Sequence, residues 1–165
     1  LGCRRLTLGL PNRALFDSVE ARTTLAEVLR VERPALLFGP YPEDAHPDHL
    51  AACRITEAAR FYGKFTKTEM SGEPYYVPRA YRYMAVHLRL VREPSFLADI
   101  SATLPAKLAA LGAYRSQFGE NPANADVIGQ MEQTARMWGG IGRTGAAEPF
   151  FALEPPLVRS VLELG

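Results

Sequence analysis

The stretch ALLFGPYPEDAHPDH, residues 35–49, places a strand, a loop and the start of a helix in one short segment. Its first part, Ala35–Phe38, is wholly apolar, as is typical of a strand buried in a parallel sheet. Pro47 is favoured at the first position of a helix, and Asp48 suits the first turn, so a helix is predicted from Pro47 to about Gly63. A strand joined to a helix by a short loop is the repeating unit of α/β folds.

The rest of the chain alternates in the same way. Asp17 or Ser18 is predicted to cap a helix that ends before Pro34, and residues 64–78 are predicted to form a long loop. Glycines after residue 138 are expected to end the last helix. The other predicted elements are strands near 5–10, 80–91, 96–100 and 150–153, and helices over about 104–118 and 125–138. This order predicts an α/β fold, Rossmann-like, with an open, mostly parallel sheet and helices on both faces.

Composition excludes several classes of function. The chain has 165 residues, enough for one domain with a substantial core, and is 47% hydrophobic and 22% charged. Nineteen basic and 18 acidic residues give a net charge of +1, so nucleic acid is not an expected partner. No apolar stretch is long enough to predict a membrane span. Cys3 and Cys53 form no CxxC pair, which favours a reducing cytoplasm.

Two of the chain's three histidines stand three residues apart at the start of the predicted helix. Ligands of α/β sheets bind at the carboxyl ends of the strands, where this helix begins. His46 is predicted near the N-cap, with His49 about one turn further on the same face. Helix N-terminal amides favour neutral imidazole, the form that binds zinc, so His49 fits a metal ligand. A protonated His46 would need a compensating carboxylate, which Asp48, with Glu43 and Asp44, can supply.

The same residues also have a purely structural interpretation. A single H-x-x-H is a weak zinc signal, and Asp48 in a first helical turn is ordinary helix-dipole chemistry. His87 stands alone in an alternating segment and is predicted to be structural or exposed. The sequence has no glycine-rich phosphate loop and no G-x-S-x-G motif.

Several blocks, read together and in order, resemble the LmbE-like, or PIG-L, family of zinc deacetylases, and most closely its bacillithiol-pathway branch. These blocks are LGLPNRAL (8–15), RPALLFGPYPEDAHPDHLAA (33–52), EPSFLADIS (93–101), AYRSQFG (113–119), ARMWGG (135–140) and EPFFALEPPLV (148–158). The resemblance covers nearly the whole chain.

The resemblance implies a Rossmann-like fold and zinc-dependent hydrolysis of an N-acetyl group from an N-acetylglucosaminide. In the bacillithiol branch the substrate is an N-acetyl-glucosaminyl-malate, and acetate and a free amine are released. By position, His49 matches the family's zinc-ligating histidine. His46 matches the histidine that stabilises the oxyanion and protonates the amine, and Asp48 matches the aspartate that orients that histidine. A small-molecule substrate and a homo-oligomer are the implied partners.

The chain also departs from the family pattern. The other two zinc ligands and the general base of the family lie in an N-terminal His-Pro/Ala-Asp-Asp motif, which these residues lack. By analogy, residues 1–165 are interpreted as a single deacetylase domain lacking about 60 N-terminal residues. The chain alone is therefore expected to be inactive. Ala45 stands where relatives often have Arg, and the segment 142–147 lacks the tyrosine that the family has just before Glu148. The alternative to an enzyme is a non-catalytic remnant of the same fold, which binds sugar or forms oligomers and holds no metal.

Overall fold

The computed structural model describes residues 2–85 and 87–160. The chain divides into two compact units. The first, called the site unit below, contains residues 6–93 and the chain from Phe151 onward. The second unit contains residues 94–150 and the chain up to Arg5. Among the described residues, no helix is both long enough and apolar enough to cross a membrane.

The site unit is built around a parallel pair of strands. Leu36 aligns with Arg79 at one end of the pair, and Pro40 aligns with Tyr83 at the other. Parallel neighbours cannot be joined by a tight turn, so a helix connects them. The elements are helix α1 (Val19–Glu32), strand β1 (Leu36–Pro40), helix α2 (Pro47–Tyr62) and strand β2 (Arg79–Tyr83).

The ends of α1 follow from local chemistry. The Ser18 hydroxyl accepts a hydrogen bond from the backbone N–H of Ala21 at 3.1 Å, which satisfies one of the unpaired amides of the first turn. Arg33 ends the helix in the left-handed conformation, with φ of 46°, and Pro34 prevents its continuation. The predicted cap and stop are confirmed.

Small side chains let α1 and α2 pack closely. One buried cluster of this unit, at most 4% exposed, contains Ala26, Leu29, Ala59 and Val77. Leu37 of β1 packs against this cluster, but Leu36 and Phe38 remain 40% and 44% exposed. The prediction that this apolar run is wholly buried is therefore wrong. Successive strand side chains point to opposite faces, and only the Leu37 face meets this cluster.

The loop between α2 and β2 is held in place by one buried side chain. Arg30 on α1 is 3% exposed. Its guanidinium donates to the carbonyls of Gly63 at 3.1 Å, Met70 at 3.1 Å and Gly72 at 3.2 Å, and also to that of Phe65. The predicted long loop is confirmed, and it is tied at several points to α1.

The second unit pairs its strands in the antiparallel sense, with Phe96 opposite Phe150 and Asp99 opposite Ala147. The predicted α/β class is confirmed, with mixed parallel and antiparallel pairing. The elements are strand β3 (Phe96–Asp99), helix α3 (Leu104–Gly112), helix α4 (Val127–Gly142) and strand β4 (Ala147–Ala152).

Both helices of the second unit differ in length from the prediction. α3 ends at Gly112, a poor helix former, and a π-helical turn over Arg115–Gly119 follows. α4 continues through the glycines that were expected to end it. A Cβ on Gly139 would lie 2.6 Å from the Cα of Ala146, so the missing side chain permits a close approach rather than a helix stop.

The segment 5–10 forms no strand in the described structure. Gly9 adopts a φ of +68°, a left-handed conformation that interrupts an extended chain. The strand predicted there from its apolar residues is wrong, because an apolar run forms a strand only where a partner strand accepts its backbone hydrogen bonds.

Candidate active site

The two parallel strands end side by side, and each is followed by a loop that carries histidine. At this end, the backbone N–H of Tyr41, which follows β1, donates to the carbonyl of Tyr83, the last residue of β2, at 3.1 Å. The loop 41–46 and the chain that follows Tyr83 therefore leave the sheet at the same edge. This is the edge at which α/β sheets bind their ligands.

His46 is the N-cap of α2, as predicted, with Pro47 at the first helical position. Its backbone is extended, with φ of −87° and ψ of 117°, and its side chain accepts from the helix. The Nδ1 atom receives the backbone N–H of Asp48 at 3.2 Å. An accepting Nδ1 carries no proton, so the neutral ring carries its proton on Nε2. The cap thereby fixes the tautomer of His46.

All three histidines of the sequence come together in the structure. The rings of His46 and His49 are stacked, with centroids 4.8 Å apart. The ring of His87 lies 5.0 Å from that of His49 and 5.5 Å from that of His46. His46 and His49 lie one turn apart at the start of α2, whereas His87 reaches them only because β2 runs parallel to β1.

His87 is the site residue that sequence reasoning missed. The predicted strand over 80–91 would have placed it inside a sheet, but β2 ends at Tyr83. His87 therefore lies in the segment that follows a parallel strand, with its side chain 58% exposed. Its approach to His46 and His49 depends on the pairing of β2 with β1, for which the sequence carries no signal.

Asp44 is the carboxylate around which these rings are arranged. Its side chain is only 1% exposed, and its Oδ2 atom lies 2.6 Å from Nδ1 of His49. Its Oδ1 atom accepts the backbone N–H of His46 at 3.0 Å and that of His87 at 3.1 Å, and lies 3.3 Å from Nδ1 of His87. Burial alone would raise the pKa of Asp44, but these hydrogen bonds outweigh burial and hold the pKa well below its ordinary value.

The carboxylate of Asp48 binds the backbone of the chain that precedes α1. Its Oδ2 atom accepts the backbone N–H of Arg13 at 2.6 Å, and its Oδ1 atom accepts that of Leu15 at 3.3 Å. Its contact with His46 is made through the backbone N–H. Asp48 thus fastens the chain before α1 to the start of α2, while Asp44 provides the carboxylate that contacts imidazole rings.

A second ion pair joins the two loops of the site. The guanidinium of Arg92 donates to the carboxylate of Glu43 through Nη2 at 2.6 Å and through Nε at 3.3 Å. The pKa of Glu43 is lowered by this hydrogen bond. Together with the contacts of Asp44 to His87, it connects the loop after β1 to the segment after β2.

Three of these side chains form a group that could hold a metal ion. Asp44, His49 and His87 each offer a ligand atom, and these atoms lie within 4.8 Å of one another. Two imidazoles and a carboxylate are a donor set that zinc accepts. The residues present therefore fit a metal of this type.

Comparison with known proteins finds deacetylases among the proteins similar to this chain. No family model matches the chain. Over 110 residues the chain is 30% identical to diacetylchitobiose deacetylase of Thermococcus kodakarensis, covering 62% of this chain and 39% of that protein. Over 131 residues it is 29% identical to 1D-myo-inositol 2-acetamido-2-deoxy-alpha-D-glucopyranoside deacetylase of Thermomonospora curvata, covering 61% and 44%. These relatives are deacetylases. The chain spans about two fifths of their length.

Solved structures support the fold. The conserved protein TT1542 from Thermus thermophilus is 37% identical, with a TM-score of 0.81 over 91% of this chain and 65% of that chain. N,N'-diacetylchitobiose deacetylase of Pyrococcus horikoshii is 22% identical, with a TM-score of 0.70 over 87% and 54%. The 4-carboxy-2-hydroxymuconate hydratase GalB of Pseudomonas putida is 17% identical, with a TM-score of 0.70 over 87% and 62%. The last two show the fold alone, and a hydratase among them means that the fold does not decide the reaction.

Proposed function

We propose that this chain belongs to a zinc-dependent deacetylase that hydrolyses the N-acetyl group of an N-acetylglucosaminide and releases acetate and a free amine. The observation that carries the proposal is the convergence of His46, His49 and His87 with a buried aspartate at the carboxyl edge of a parallel strand pair. Both curated relatives are named as deacetylases of N-acetylated amino sugars. N-acetyl-glucosaminyl-malate is the substrate that the sequence resemblance favours.

Within the candidate group, the metal would be held by His49 and His87, with Asp44 in contact with both rings. When bound, zinc supplies Lewis acidity towards an amide carbonyl and makes water a better nucleophile at neutral pH. The cytoplasmic location and the homo-oligomer stay predictions, as does the upstream His-Pro/Ala-Asp-Asp motif.

His46 is proposed to act on the substrate through Nε2. Because the helix N–H occupies Nδ1, Nε2–H is the group left to face a ligand. It would donate a hydrogen bond to the carbonyl oxygen as charge develops there, and would assist protonation of the departing nitrogen. Asp48 supports this role by holding the first turn of α2, which fixes the His46 ring.

Neither aspartate is assigned as the general base. Each carboxylate already accepts two or more hydrogen bonds from the protein, Asp44 from three histidines and Asp48 from two backbone amides. The proposal therefore gives both aspartates an orienting part.

The test is acetate release by the full natural protein, with the 165-residue chain measured in parallel. N-acetyl-glucosaminyl-malate and diacetylchitobiose serve as substrates, and zinc content is measured by elemental analysis. We expect activity that is lost on chelation and restored by Zn²⁺. Arg54→Ala is the control. It alters an exposed side chain on α2, the helix that also carries His49, and should keep full activity. Activity that survives chelation would contradict the zinc proposal. Absence of both metal and acetate release would favour the non-catalytic alternative.

A further inference from the structure

Asp44 could serve a metal in two different ways. It could be a ligand itself, as a member of the group with His49 and His87. Alternatively, it could hold a ligand in the correct orientation through a hydrogen bond, as carboxylates beside metal-binding histidines commonly do. The two roles make different demands on the oxygen atoms of the carboxylate.

The hydrogen bonds of Asp44 leave little room for a metal. A carboxylate offers about four lone-pair positions. Oδ2 is 2.6 Å from Nδ1 of His49, and Oδ1 meets the backbone N–H groups of His46 and His87 and, at 3.3 Å, Nδ1 of His87. With the side chain 1% exposed, direct metal binding would require one of these contacts to break inside the protein.

His49 has the complementary arrangement. Its Nδ1 atom is taken up by Asp44, so its Nε2 atom is the one left for a metal, and its side chain is 37% exposed. An ionised carboxylate can only accept, so the proton in this contact lies on Nδ1. This is the tautomer in which Nε2 carries the free lone pair that a metal needs.

We infer that Asp44 is a positioning residue, which holds His49 as the Nδ1–H tautomer with Nε2 directed to the metal, and is not itself a ligand. The inference rests on the proposed function for the identity of the metal site. By accepting backbone N–H groups from both loops, Asp44 also sets the separation between His49 and His87.

The test compares Asp44→Asn with Asp99→Asn and His49→Ala. Asp99 is a matched control because its carboxylate is also hydrogen-bonded, to Ser101 and Thr144, and contacts no histidine in the described structure. The first measurement uses the metal-free protein: ¹⁵N NMR of the histidine side chains at a pH where they are neutral. We expect Nδ1–H for His49 in the wild type and in Asp99→Asn, and a mixture of tautomers in Asp44→Asn.

The second measurement is titration with Co²⁺ alone, followed by visible absorption. Loss of an orienting carboxylate typically weakens metal binding ~10–100-fold. Asp44→Asn should show this weakening with an unchanged Co²⁺ spectrum, whereas His49→Ala should lose the spectrum. Loss of the spectrum in Asp44→Asn would make Asp44 a ligand and overturn the inference, as would a His49 tautomer that is Nε2–H in the wild type or unchanged in Asp44→Asn. If the wild type binds no Co²⁺, the proposed metal fails, while the NMR result still decides how Asp44 orients His49.

Discussion

A backbone hydrogen bond of 3.1 Å joins Tyr41, which follows strand β1, to Tyr83, the last residue of the parallel strand β2. This bond brings together the starts of the two loops that carry the site. Asp44 and His46 follow Tyr41, and His87 follows Tyr83. The site is therefore assembled by strand pairing, since two separate parts of the sequence contribute to it.

The roles of His49 and His46 should separate in the full natural protein. His49→Ala removes the proposed ligand, so zinc content and deacetylase activity should fall together. His46→Ala should keep its zinc but lose ~10²–10⁴ in rate, because its proposed work is on the substrate. Elemental analysis and acetate release measure the two effects. Equal loss of zinc from both variants would contradict the assignment.

His87→Ala tests whether the histidine that the sequence analysis missed contributes to metal binding. Because its ring lies 5.0 Å from that of His49 and contacts Asp44, we expect Zn²⁺ affinity to fall ~10-fold or more. Competition with a chromophoric chelator measures the affinity. Leu88→Ala, which alters an exposed neighbour, should leave it unchanged. An unaltered affinity in His87→Ala would remove His87 from the metal group.

Arg30→Met should loosen the loop between α2 and β2. The substitution keeps an unbranched side chain but removes the donors to the carbonyls of Gly63, Phe65, Met70 and Gly72. Leaving several part-buried acceptors unpaired should lower the free energy of unfolding by ~2–4 kcal/mol. Urea denaturation measures this, and hydrogen exchange should accelerate over residues 63–72. The exposed Arg54→Met is the control, and a stability equal to that of the control would disprove the proposed tether.

The Asp17–Arg22 pair predicts a pH dependence of stability. Two hydrogen bonds from the guanidinium, at 2.6 and 2.7 Å, lower the pKa of Asp17. A carboxyl group with a pKa lowered by folding stabilises the protein above its unfolded pKa of about 3.9, and this stabilisation disappears as the pH falls through the lower folded value. Asp17→Asn should therefore lower the urea midpoint at pH 7, and the difference from the wild type should shrink below about pH 4. Glu69→Gln, on an exposed loop, should show no such dependence, and a difference that persists unchanged at low pH would contradict the prediction.

Local chemistry in the sequence was sufficient for part of the structure. Asp17 or Ser18 was predicted to cap α1 because such side chains accept the free amides of a first turn, and Ser18 does so. His46 was predicted near the N-cap of α2 because Pro47 suits the first helical position. Pro47 fixed the beginning of α2, and with it the spacing of His46 and His49 on one face. These features depend on residues close together in the chain, so a single sequence is enough to predict them.

The tertiary structure decided the features that depend on distant residues. The carboxylate of Asp48 binds the backbone at Arg13 and Leu15, while that of Asp44 reaches His87. Both aspartates stand in the same short loop and turn, so sequence alone could not assign their partners.

The same limit explains the errors in secondary structure. Gly139 was expected to stop α4, but its lack of a side chain serves a close contact with Ala146. The segment 5–10 was expected to be a strand, but a strand needs a partner, which local sequence does not supply. The sequence by itself determined where α1 and α2 begin and which histidines lie on one helical turn. Only the packing of the chain decided that His87 joins them at Asp44, because that contact is set by parallel pairing between strands about 40 residues apart.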